Sequence, residues 1–203
     1  MTEPALLLDR NARGWTLASA ALALLPLLLQ LPGPLAALIA VAGVATAALS
    51  LRGVLPIPVR LLLVLAMLGA IVWQMGAVRP GRDTGCALLA AMLAIKSSEL
   101  RSVRDARSLL GFALFAPFAA FLLDQGPLTT LLAALAGVTA LLALQRLAHN
   151  EGRSAPLPLA GQVRGVGRLL LIGLPLALAC FWLFPRLATP LWGIPDRAVG
   201  TPG

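Results

Sequence analysis

Between Met92 and Leu110 the sequence reads MLAIKSSELRSVRDARSLL, and six charged side chains, Lys96, Glu99, Arg101, Arg104, Asp105 and Arg107, fall within twelve residues. Two carboxylates among four cations could hold an anion or a lipid headgroup, serve gradient-coupled transport, or simply pair with one another. The spacing suits pairing. Lys96 and Glu99 stand at i,i+3 and Arg101 and Asp105 at i,i+4, separations that face each other on a helix and are worth about 0.2–0.5 kcal/mol per exposed pair. Helix is therefore predicted on both sides of a brief turn near Ser102. Three readings stay open for the cluster: a charge pattern that sets membrane topology, a polar contact site for a partner or a neighbouring helix, and a catalytic site.

Elsewhere the residue types that usually do chemistry are isolated. Cys86 and Cys180 fall inside apolar runs without a CxxC spacing and read as small packing residues. His149 is the one histidine, placed in a polar loop, so neither a histidine metal cluster nor a Cys-His dyad within one compartment is available. No metal, cofactor or catalytic residue is expected. GVGR at Gly165 to Arg168 opens a helix but follows no strand and lacks the third glycine of a dinucleotide fingerprint. Phe112, Phe115, Phe118 and Phe121 form a three-residue stripe around Pro117 that suits helix packing or lipid contact, with a kink at the proline. Asp83 and Asp124 sit at predicted outer span ends and Glu99 and Asp105 at inner ones. None lies in mid-span, where a coupled transporter usually needs a carboxylate.

The elements that carry these residues are dictated by apolar length. Of 203 residues 59% are apolar and 12% charged, and mean hydropathy is strongly positive. No water-soluble core of this size requires that, so an all-α integral membrane protein is expected. Runs of adequate length are Trp15 to Leu31, Leu35 to Leu51, Val59 to Val78, Leu109 to Leu123, Leu128 to Leu147 and Gly167 to Phe184, with breakers such as LPGP and DQGP between them. The fourth run, Thr84 to Ile95, is too short alone. Twelve residues at about 1.5 Å each fall well under the roughly 30 Å of hydrocarbon, so this helix must continue through Lys96 and Glu99 to span. The one sizeable polar loop is placed at His149 to Arg164.

About seven transmembrane helices with the N-terminus inside put Arg10, Arg13, Arg52, Arg60, Lys96, Arg101, Arg104, Arg107, Arg146, Arg153, Arg164 and Arg168 on the cytoplasmic side. The exterior keeps Arg79, Arg82, Arg186 and Arg197, so twelve of the sixteen cations are inside. The C-terminus then faces outward. A re-entrant fourth run would give six spans and spoil this balance. Trp15, Trp73, Trp182 and Trp192 all fall near predicted span ends, as interfacial anchors do. The net charge of +8 is spread over membrane-flanking loops, which fits anionic headgroups and excludes a nucleic-acid face.

The segment GRDTGCALLAAMLAIKSSELRSVRDA and, far downstream, FWLFPRLATPLWGIP together resemble the N-terminal membrane domain of the bacterial TgpA-type transglutaminase-like proteins. The likeness rests on Gly81, Asp83 and Gly85, on Lys96, Glu99, Arg101, Arg104 and Asp105, and on Phe184, Pro185, Arg186, Pro190, Leu191, Trp192, Gly193 and Pro195. Ser97 and Ser98 depart from it. Apolar residues are expected there, and two serines make the end of the fourth span wetter.

The resemblance implies a multi-span domain over residues 1–184 in the bacterial inner (cytoplasmic) membrane, followed by an extracytoplasmic lead-out over 185–203. In that family a large extracytoplasmic domain with a Cys-His-Asp triad follows, and no position here matches a triad member. The expected function is thus non-catalytic: to anchor and position a transglutaminase-like domain, with the bilayer and that domain, or another membrane protein, as partners. The alternative is a small transporter or lipid-handling protein that uses the Lys96 to Arg107 cluster.

Overall fold

In lipid, a backbone with no water to bond must satisfy its amides within the segment, which long uninterrupted apolar runs do as α-helices. The computed structural model describes residues 8–53, 55–75, 81–151 and 158–183. These form α1 (Arg10–Gln30), α2 (Gly33–Arg52), α3 (Ile57–Met75), α4 (Arg82–Lys96), a 3-10 turn (Ser97–Glu99), α5 (Val103–Leu123), α6 (Pro127–Glu151) and α7 (Leu159–Leu183). Among the described residues the only β-type feature is an isolated bridge at Ser102. The all-α expectation holds. Six helices, all but α4, are long and apolar enough to cross a membrane.

Local chemistry sets the ends. After α1, Leu31 and Pro32 are extended and Pro34 occupies the first turn of α2, where its missing N–H costs nothing. Ser102 caps α5 in a capping box: its hydroxyl accepts from the Asp105 amide at 3.2 Å, and Asp105 Oδ2 accepts from the Ser102 amide at 2.9 Å. Asp124 holds the turn before α6 through a hydrogen bond from the Thr129 hydroxyl.

Residues 1–166 form one compact unit and 167–203 a second. In the first, α1, α5 and α6 pack against one another along faces of small residues. Ala20 and Ala23 on α1, Ala106, Ala113 and Ala120 on α5, and Ala136, Ala140 and Ala143 on α6 are all buried. Without a hydrophobic driving force between helices in lipid, close backbone approach supplies the van der Waals contact that holds such a bundle. Lipid-facing side chains are large by contrast: Phe115 and Phe118 project outward from α5, and α3 buries only Met67 and Ile71. The second unit is described through the remainder of α7, whose Leu171 and Trp182 are exposed.

α4 is the exception in length and in position. Its fifteen residues reach only about 22 Å, yet it packs against α1, α2, α3 and α5. A helix surrounded by other helices needs less apolar surface than one that meets lipid. The expected α-helical continuation through Glu99 does not occur. The α-helix stops at Lys96 and a tighter 3-10 turn carries the chain to Glu99, with both serines turned into the protein.

Other boundaries also shift. The polar loop expected from His149 to Arg164 is shorter, because α6 runs to Glu151 and α7 begins at Leu159. His149 therefore lies in the last turn of α6, its Nδ1 2.7 Å from the Gln145 carbonyl oxygen, and Gly165 to Arg168 lie within α7 rather than at its start. Cys86 packs as expected, its thiol donating to the Ala119 carbonyl at 3.3 Å, whereas Cys180 is exposed.

Candidate functional site

The charged segment is assembled from five helices and the 3-10 turn at one end of the first unit. Glu99 lies on the turn, Lys96 one turn earlier at the end of α4, and Arg60 in the first turn of α3. The Arg60 guanidinium meets Glu99 Oε1 at 2.9 Å and the Lys96 ammonium meets Oε2. Both carboxylate oxygens are thus occupied by cations. The hydrogen bond from Lys96, with the positive charges of Lys96 and Arg60, holds the Glu99 carboxyl below its ordinary value, against a smaller opposing effect of burial.

The expected Lys96–Glu99 pair is present, and the expected Arg101–Asp105 ion pair is replaced. Asp105 Oδ2 accepts from the Ser102 hydroxyl at 2.8 Å and from the backbone amides of Ser102 and Arg101. Capping competes with side-chain pairing here and wins, because three donors already converge on one oxygen. Arg101 and Asp105 still border one surface depression of about 530 Å³ with Arg60 and Glu99. Arg104 is exposed in the first turn of α5.

Three further contacts tie this segment to the bundle. The Arg13 guanidinium of α1 donates to the Leu100 carbonyl at 2.6 Å, and the Leu8 amide donates to the Arg101 carbonyl at 3.2 Å. Ser97 is 5% exposed, its hydroxyl 2.9 Å from that of Thr46 on α2, which also donates to the Ala94 carbonyl. Ser97 and Ser98 therefore do not wet the helix end. Both are buried, and Ser97 is a polar bolt between α4 and α2. Arg146 of α6 stacks over Trp15 of α1, 4.5 Å from the ring centroid, so Trp15 packs within the bundle rather than serving only as an interfacial anchor.

Asp83, the remaining sequence-predicted residue of the first motif, is not part of this junction. It lies at the opposite end, in an exposed pair with Arg82 at 3.7 Å, beside a depression of about 440 Å³ bordered by Gln30, Met75, Thr84 and Leu123. Phe184, Pro185, Arg186, Trp192 and Gly193 fall outside the described residues, as do Pro190, Leu191 and Pro195. Sequence reasoning missed Arg60, Arg13, Thr46 and the Arg146–Trp15 stack. Each is joined to its partner across dozens of residues, and no local spacing announces such a contact.

Among the described residues no three His, Cys, Asp or Glu side chains converge in a geometry that could hold a metal ion. The carboxylates at the junction are engaged by cations and by a helix cap. What this arrangement does chemically is lock helix ends together, while Arg101 and Arg104 face outward.

Comparison with known proteins accords with the motifs. Residues 15–203 match the TgpA N-terminal domain. A protein-glutamine gamma-glutamyltransferase from Pseudomonas aeruginosa is 40% identical over 134 residues, which cover 66% of this chain but 20% of that relative. The aligned segment is thus about a fifth of that relative's length. No solved structure matches. On the match over residues 15–203, the chain belongs to the TgpA N-terminal domain family.

Proposed function

We propose that this chain is a non-catalytic membrane domain that anchors and positions an extracytoplasmic transglutaminase-like domain. The observation that carries the reading is a disparity. The domain matches a fifth of a relative whose name is a glutamine gamma-glutamyl transfer activity, while the two carboxylates of its charged cluster, Glu99 and Asp105, are engaged by cations and by a helix cap. Seven spans, with α4 as an interior one, put the cation-rich end in the cytoplasm and the segment 185–203 outside the inner membrane. The first six helices support this, because Arg13, Arg60, Lys96 and Arg146 all lie at one end, where cytoplasmic anionic lipid favours them.

The test is an exchange in the Pseudomonas relative. Its matching segment is replaced either by this domain or by an unrelated single-span anchor, and gamma-glutamyl transfer is assayed in isolated membranes. Anchoring and positioning together predict that this domain sustains activity and the single span does not. Equal activity with the single span would reduce the role to tethering, and loss with both, at equal membrane insertion, would contradict the proposal.

A further inference from the structure

Between α1 and α2 runs a groove of about 450 Å³, walled by Ala20, Ala21 and Leu25 on one side and Val44, Ala47 and Ala48 on the other. Its floor is α4, at Leu93 and Ala94, and the start of the 3-10 turn, at Ser97. The Ser97 hydroxyl is already bonded to Thr46 and to the Ala94 carbonyl, so the floor offers a ligand no unsatisfied group. Both wall helices are of membrane-spanning length and apolarity, and Ala21, Leu25, Val44 and Ala48 are exposed along the rim. The groove is therefore an apolar trough at lipid depth.

Its dimensions select the occupant. On α1 it extends from Leu17 to Leu28, about 16 Å at 1.5 Å per residue, which makes the mean cross-section about 28 Å². That section is of the order of one extended hydrocarbon chain, and the trough is open to the lipid side along its length. One end of the trough is charged: Leu51, its last residue on α2, adjoins exposed Arg52, and Arg10 and Arg13 lie one to two turns before Leu17. We propose that this groove binds one acyl chain of an anionic phospholipid, with the phosphate placed at Arg52 and Arg10. The site is independent of the anchoring role and of the Arg60–Glu99 junction.

Photo-crosslinking tests it on the full chain in phosphatidylcholine vesicles that contain a trace of phosphatidylglycerol with a diazirine on one acyl chain. Adducts at Ala21, Val44 and Ala48 are expected, competed by excess phosphatidylglycerol and not by added phosphatidylcholine. Filling the rim by Ala21→Leu with Ala48→Leu should reduce groove labelling several-fold while labelling of the outward face at Val41 stays constant, which also reports that the variant is folded. Arg52→Gln with Arg10→Gln should abolish the preference for phosphatidylglycerol. Labelling spread evenly over exposed apolar side chains, or unchanged by the rim variants, would overturn the proposal. So would efficient disulfide-linked dimers of Ala48→Cys in membranes, since the trough would then hold a second copy of the chain.

Discussion

The two ends of the bundle use charge differently. Where α4 meets α5, Glu99 is held by Arg60 and Lys96, Asp105 by three donors, and Leu100 by Arg13. At the opposite end the Arg82–Asp83 pair is exposed at 3.7 Å and Asp124 serves a single turn through Thr129. The first arrangement joins α1, α3, α4 and α5, whereas at the second the one cross-helix hydrogen bond described for these charged groups is an exposed one, from the Arg82 guanidinium to the Leu122 carbonyl at 3.3 Å. A carboxylate shared between helices constrains how they meet, and a solvated one near a helix end mainly contributes solubility and local capping. The junction is accordingly the more heavily cross-linked end, and the end bearing Asp83 is the more tolerant surface.

Substitutions should expose that inequality, and thermal unfolding in detergent would measure it. Glu99→Lys puts three cations together at the junction and should cost about 2 kcal/mol, the largest effect among these charges, partial exposure holding it below the figure for a fully buried pair. Ser102→Ala removes the cap of α5 and should cost about 1 kcal/mol. Asp124→Asn, which keeps an acceptor for Thr129, should cost about 0.5 kcal/mol or less. Asp83→Asn should be within about 0.5 kcal/mol of neutral, because the pair it breaks is solvated. A destabilisation at Asp83 as large as that of Glu99→Lys would erase the distinction between the ends.

Acid gives a reversible version of the same comparison. Glu99 titrates below its ordinary value of 4.5 in the folded protein, so its contribution is fully present above that value. It is lost as pH falls from there through the lowered native pKa. Stability should therefore show no change from this group between about pH 6 and 8 and a decline below about pH 4.5 that is reduced in Glu99→Gln. An undiminished decline in Glu99→Gln would assign the acid sensitivity to other carboxylates.

Much of the fold could be read from the sequence because lipid imposes a length rule. Six apolar runs bounded by LPGP, DQGP and similar breakers correspond to the six long helices, though the helices begin up to eight residues earlier, as at α7, because polar residues outside the apolar run continue the helix. Local spacing also revealed the Lys96–Glu99 pair. It misassigned Asp105, because the i,i+4 rule treats Arg101 as the natural partner and ignores the amides that a Ser-x-x-Asp sequence aims at the same oxygen. The burial of Ser97 is not legible locally because it depends on Thr46 of α2, fifty-one residues earlier. Arg60 was read as one more topological cation, though its guanidinium reaches Glu99 across thirty-nine residues.

The most direct test of the anchoring account is the side on which each end lies. Ser98 is a poor reporter since it is buried, whereas Arg104 and Gln125 are exposed at opposite ends of α5. Single cysteines at Arg104, Gln125 and Thr201, in a version lacking Cys86 and Cys180, would be labelled in intact cells with an impermeant maleimide. The account predicts labelling of Gln125→Cys and Thr201→Cys in intact cells, and of Arg104→Cys only after permeabilisation. Protection of Thr201→Cys in intact cells with reaction after permeabilisation would place the tail inside and contradict an anchor for an external domain.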